Sequence, residues 1–291
     1  MRYFLLIPVL GLGSLLAHSF LERQPSADDA ASAFVADSAE TSGKDLLDLV
    51  IDALGPERVQ WLQFTVVQKM FEENFTTEGR YVIGPGQRLR LEMKVKGDDT
   101  SGNVLVVSNG EDLYKARWSD EDVPAATKVQ LPQPAPGTDP KVASEERNRF
   151  LQQEGFGGLC TLLAQIRETH TDLVQQTGTC QARKVVRLAA NCPTDESKLK
   201  SLPNHMRARR CAIYVDAESR WPFRIEWLGS PKPGEALAVL MRMEFRDPVV
   251  NRPLSAAECA KVFHCPYQVV EEPVVAAEDK QRLEEEASFE H

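Results

Sequence analysis

The sequence predicts a mainly β chain of the α+β kind: a curved antiparallel sheet forming a half-open barrel, with helices plugging or covering its apolar concave face. Two observations predict it. Apolar and polar residues alternate with strand period on both sides of a central proline-rich stretch, and turn-forming residues punctuate the alternating runs. Each such strand has one wet side and one greasy side. The greasy side must be hidden on something, and two amphipathic helical regions are the available cover.

The chain opens as an exported protein does. Arg2 supplies a positive start, residues 3–16 an apolar run, and Ala17-His18-Ser19 a small-residue cleavage site. A run of about 14 residues is too short to span a bilayer, which takes about 20. A signal peptide over 1–19, cleaved after Ser19, is therefore expected, and a periplasmic or secreted mature chain. Residues 20–43 are rich in Ala, Ser and Asp and read as a flexible linker.

A single domain is expected over 44–268. Leu46, Leu47, Val50, Ile51 and Leu54 mark one face of a helix that Gly55-Pro56 stops. Strands follow over 59–71 and 75–83, then a turn at Gly84-Pro85-Gly86. In the next strand Leu89, Leu91, Met93 and Val95 alternate with Arg88, Arg90, Glu92, Lys94 and Lys96. A one-residue slip would turn those charges inward at several kcal/mol each, so the register is firmly set. Residues 104–107 and 113–118 form a hairpin about Asn109-Gly110. Five prolines between 124 and 140 interrupt regular structure, and two short helices are expected over 144–153 and 157–168.

Strands near 172–179 and 182–189 and a polar loop over 191–206 lead to three closing strands. Cys211, Ile213 and Val215 alternate with Ala212, Tyr214 and Asp216; Phe223, Ile225 and Trp227 alternate with Arg224 and Glu226. Leu237, Val239, Met241, Met243 and Phe245 share one face of the last, and Arg242, Glu244 and Arg246 the other. Ser255-Ala256-Ala257-Glu258 is a capping box that starts a short helix. Residues 269–291 form an acidic tail, expected to be disordered.

This layout resembles the LolA/LolB-like family of outer-membrane lipoprotein carriers over about 46–266. The resemblance rests on Glu78-Gly79-Arg80-Tyr81 before Gln87-Arg88-Leu89-Arg90-Leu91-Glu92, and on Val106-Val107-Ser108-Asn109-Gly110 before Leu113-Tyr114. Tyr214-Val215-Asp216, Trp221-Pro222-Phe223-Arg224-Ile225-Glu226 and Met243-Glu244-Phe245-Arg246-Asp247-Pro248 are similar to the closing strands of that fold. It implies a half-open barrel, a helical lid over a hydrophobic cavity that accepts acyl chains, and periplasmic residence.

The expected function is accordingly a lipid or lipoprotein binder or carrier, its cavity lined by Leu89, Leu91, Met93, Val95, Ile213, Val215, Phe223, Ile225, Trp227, Val239, Met241, Met243 and Phe245. Methionines suit an adaptable lining and equally fill ordinary cores. The alternative is a cell-envelope interaction module with a filled barrel. No enzyme is expected: His170, His205 and His264 stand in unrelated contexts, and neither His-Glu-x-x-His nor Gly-x-Ser-x-Gly occurs. No cofactor and no metal are expected; a zinc site at Cys259, His264 and Cys265 lacks a second pair of closely spaced ligands. The net charge of −9 argues against nucleic acid as a partner. A lipid, an acylated protein or envelope proteins are the expected partners of a monomer. The six cysteines, Cys160, Cys180, Cys192, Cys211, Cys259 and Cys265, are disulfide candidates in an exported chain, with Cys259–Cys265 first and Cys180 with Cys192 or Cys211 next.

Overall fold

A computed structural model describes residues 34–70, 75–97, 101–135, 137–153, 158–193, 207–230 and 236–270. The expected signal peptide, the first part of the expected linker and the tail from 271 onward lie outside them. Two short strands open the described chain, β1 (Val35–Ala36) and β2 (Thr41–Ser42), followed by helix α1 (Lys44–Leu54). Six strands then run as a meander: β3 (Leu62–Met70), β4 (Phe75–Gly84), β5 (Arg88–Lys96), β6 (Ser101–Asn109), β7 (Asp112–Ser119) and β8 (Ala125–Gln130). Helices α2 (Pro140–Gln153) and α3 (Gly158–Thr169) cross to a second meander, β9 (Thr171–Cys180), β10 (Arg183–Asn191), β11 (Arg210–Asp216), β12 (Pro222–Gly229) and β13 (Ala238–Val250). Helix α4 (Ala256–Val262) and strand β14 (Gln268–Val270) close the described chain.

All fourteen strands belong to one curved, unclosed sheet. The two meanders join where β13 pairs with β3, with Met243 opposite Gln68 and Phe245 opposite Val66. Pairing is antiparallel throughout except between β14 and β8. This is the mainly β, half-open architecture that the alternation predicts. Helices α1 and α3 lie on its inner face: Leu47 and Val50 from one, and Leu159, Leu162, Leu163 and Ile166 from the other, join the core cluster of the strands.

Local chemistry explains several features. Asn109 turns the β6–β7 hairpin by accepting hydrogen bonds on Oδ1 from the backbone N–H groups of Glu111 and Asp112, both at 2.8 Å, and Gly110 takes φ +99°. A Cβ at Gly79, mid-strand in β4, would run into the Glu92 carbonyl and Met93 on β5. Its absence lets the two backbones approach closely. Both halves of the capping box form at α4.

Three expectations need correction. The stretch between the prolines is not irregular: Ala125–Gln130 fits wholly between Pro124 and Pro132 and makes β8, because no proline interrupts its ladder with β7. The end of the expected linker is ordered on the sheet, since β1 and β2 both pair with β9. Val269 and Val270, expected in the tail, lie in β14.

Candidate functional site

Across the inner face the antiparallel registers set side chains in rows. Ile213, Ile225 and Met243 form one row across β11, β12 and β13, continued by Gln68, Thr77 and Val95 on β3, β4 and β5. The next holds Phe245, Val66, Gly79, Met93 and Val104; beyond it Phe64, Tyr81, Leu91 and Val106. Directly paired residues share a face, so these rows make one continuous apolar surface. Phe64 is its aromatic hub, 4.9 Å from Tyr81, 5.6 Å from Phe245 and 5.7 Å from Trp221 between ring centroids. The Trp221 indole N–H donates to the Phe245 carbonyl at 2.8 Å. Burial pushes the Tyr81 hydroxyl up, away from ionisation.

The structure gathers most of the predicted lining here. Leu89, Leu91, Met93, Val95, Ile213, Val215, Ile225, Trp227, Met241, Met243 and Phe245 are buried in the cluster that α1 and α3 cover. Phe223 is buried in the same cluster but sits at a β-bulge, and Val239, at a second bulge, lies outside the cluster. Between Tyr214 and Val215 the register with β12 shifts, leaving Phe223 as the extra residue. Its ring lies 6.4 Å from Tyr214 and 5.0 Å from the Arg183 guanidinium, on the side of Tyr214 rather than of Ile225. A second shift puts Val239 opposite Leu228, and Val239 is half-buried outside the core cluster.

The roof is tied together at its outer surface. Arg167 on α3 donates to both carboxylate oxygens of Asp48 on α1, at 2.7 and 3.3 Å, and holds that carboxyl below its usual range. Cys160 on α3 donates weakly to the Ile51 carbonyl at 3.7 Å. The underside of the roof is aliphatic.

The outer face has two further features. Over β11–β13 it is buried and charged. Arg224, 1% exposed, donates to Glu244 at 3.3 Å and lies over the rings of Tyr214 and Phe223. Tyr214 donates to Glu226 at 3.0 Å, and Arg242 donates to the other Glu226 oxygen at 2.9 Å. Phe34, ahead of β1, packs edge-on to Tyr214 and under the Arg187 guanidinium. Over β3–β7 the outer face instead carries a shallow cleft of about 410 Å³, lined by Thr65, Glu78, Arg80, Glu92, Lys94, Asn103 and Trp118 among others. Charged side chains of Glu78, Arg80, Glu92 and Lys94 stand among its walls.

No disulfide joins any of the six cysteines, which corrects the disulfide expectation. Cys259 faces the Leu254 carbonyl from α4, whereas Cys265 packs with Leu105, Val107, Ala116 and Ala126 against the outer face of β6–β8. Cys180 sits beside Arg224, and Cys192 and Cys211 are buried near the β10–β11 ladder. Burial pushes Cys192 up to about 12 and Cys211 well above the ordinary thiol value. Here they behave as small apolar side chains.

The inner face also holds two residues that sequence reasoning passed over, Gln68 and Thr77. Leu62, Phe64, Val66, Gln68 and Met70 occupy alternate positions of β3, so the polar member of an otherwise apolar series was the available signal. Among the described residues no helix is long and apolar enough to cross a membrane.

No protein-family model matches the chain, and no curated protein matches it. Solved structures similar to it include the Pseudomonas aeruginosa MucA/MucB complex, at 15% identity and a TM-score of 0.37, with 75% of this chain covered; the chain spans 60% of the length of that one. Another is a DUF1329 family protein from Desulfovibrio piger ATCC 29098, at 10% identity and a TM-score of 0.33, covering 76% of this chain and 98% of that one. A third, from Vibrio parahaemolyticus, is a domain described as outer membrane lipoprotein-sorting, at 8% identity and a TM-score of 0.26, covering 75% and 96%. It is of the kind that the sequence resembles.

Proposed function

We propose that the chain is a non-enzymatic carrier, periplasmic or secreted, that takes the acyl chain of a lipid or acylated protein onto its inner face beneath α1 and α3. One observation carries the reading: a continuous apolar surface, built from both meanders, is roofed by two helices whose mutual side-chain ion pair is an exposed one. Covering it engages six aliphatic side chains of the roof, each worth roughly 1.5–3 kcal/mol buried. A 16-carbon chain gains about 12 kcal/mol gross at ~0.8 kcal/mol per CH₂, before association costs. The two quantities are of one size. A ligand can therefore take the place of the roof's side chains at little net cost, whereas a few surface hydrogen bonds could not.

The completeness with which Leu163, Ile166, Leu47 and Val50 fill the space, all at or below 2% exposure, favours a second reading: an envelope interaction module with a permanently filled barrel. Native mass spectrometry and solvent extraction of the purified mature chain, with titration of a fluorescent 16-carbon acyl probe, separate the two. The carrier retains or takes up acyl species, and Met243→Glu in a folded protein weakens uptake at least tenfold. A folded wild-type chain that neither contains nor binds any acyl species is the interaction module.

A further inference from the structure

Resting on the carrier reading, we infer that Gln68 and Thr77 form a carbonyl anchor, which selects acyl chains joined to their head group by a neutral ester or amide.

The two residues face each other across β3 and β4 in the row between Met243 and Val95. They are among the few polar side chains buried in the described residues, 1% and 2% exposed. The Gln68 amide N–H₂ donates to the Sδ atoms of Met70 at 3.3 Å and Met241 at 3.2 Å, both weak acceptors. The Thr77 hydroxyl, fully buried, has no hydrogen-bond partner. An amide spent on thioethers and a hydroxyl spent on nothing are costly in an apolar interior, where burying a polar group unpaired takes about 1–3 kcal/mol. Both requirements are met by one carbonyl oxygen, whose two lone pairs can accept from the amide and the hydroxyl together.

The surroundings narrow the chemistry. Met70, Met241, Met243, Phe75, Val66 and Val95 are the neighbours in this row and the adjoining ones, and none is charged. A carboxylate or phosphate here would be buried without a counter-charge, so the anchored group is neutral. The thioethers that now accept from Gln68 belong to flexible side chains and can swing aside. The anchor also lies near one end of the surface, two residues before β3 ends at Met70. From Gln68 back to Leu62 the strand rises roughly 20 Å at about 3.3 Å per residue, an apolar track long enough for the tail.

The test uses three probes matched in chain length on the full mature protein: a hexadecanoyl glycerol ester, the hexadecanoyl amide of ethanolamine, and a hexadecyl glycerol ether without the carbonyl. The wild type should bind ester and amide about tenfold more tightly than the ether, and whichever of the two is preferred identifies the linkage. Thr77→Val, which keeps the shape, and Gln68→Met with it should close that gap, while Thr77→Val alone should raise the thermal midpoint by removing the unpartnered hydroxyl. Equal wild-type affinity for ester and ether, or a preference that survives both substitutions, overturns the anchor and leaves the carrier standing. Failure of all three probes to bind the wild type overturns both.

Discussion

The outer faces of β5 and β12 start from the same pattern and end in opposite environments. On β5 Arg88, Glu92, Lys94 and Lys96 stand in solvent while Leu89, Leu91, Met93 and Val95 are buried. On β12 Arg224 and Glu226 alternate with Ile225 and Trp227 just as regularly, yet both charges are buried. The difference is made by aromatic side chains, of which Phe34 is far away in sequence. Tyr214, the bulged Phe223 and Phe34 bring aromatic surface onto that side of the second meander. Period-two alternation tells which residues share a side; it does not tell whether the polar side is wet.

The sharpest way to break this comparison is Arg224→Leu. It takes the most deeply buried cation away from Glu226 and Glu244, leaving the first to Tyr214 and Arg242 and the second to Arg246, and should lower stability by about 3 kcal/mol, read as a drop in the urea midpoint at unchanged slope. A loss below 1 kcal/mol would mean that this face is as wet as that of β5.

Acid comes next. Burial by itself would raise the Glu244 carboxyl, but the hydrogen bond from Arg246 and the charge of Arg224 outweigh it, and the carboxyl is held below its ordinary value of 4.5. A depressed carboxyl contributes stability above its unfolded value and loses it as pH falls through the folded one. Unfolding free energy followed from pH 5 down to pH 2 should therefore decline, and Glu244→Gln should make that decline shallower. An identical slope in the variant would remove Glu244 from the account.

The outer face of β6–β8 is an intermediate case, dry because the segment after α4 lays Cys265 and Tyr267 on it. Ser255→Ala removes the capping box that starts α4 and should cost about 1 kcal/mol, visible in thermal unfolding. The smallest effect belongs to the wet face itself. Lys94→Leu breaks only an exposed contact with Asp120 at 3.9 Å and should change stability by about 0.5 kcal/mol or less.

Much of the fold was legible because local chemistry dictated it. The β5 register, the Asn109-Gly110 hairpin and the Ser255 capping box each depend on residues a few positions apart. The buried face was legible where alternation ran unbroken, as along β5 and from Met241 to Phe245. It was illegible where a bulge inserted one residue, since a single extra position sets Phe223 against Tyr214 and leaves Val239 out of the core cluster, and no turn residue announces it. The cysteines were misread for a related reason. Spacing in the chain carries no information on which strand face a cysteine occupies, and Cys265 is drawn into an outer-face cluster away from α4. Gln68 stood in plain view, but its significance depends on facing Thr77 across a ladder.

The margins of the sheet carry a consequence for how the protein behaves in company. β9 is bordered by two strands of two residues each, and β8 by one of three, so neither flank offers a neighbouring molecule a long row of unpaired backbone. Those gatekeepers come from opposite ends of the described chain. Trimming both ends would bare two ready templates for strand addition, and a solitary molecule would become prone to stacking into chains of its own copies.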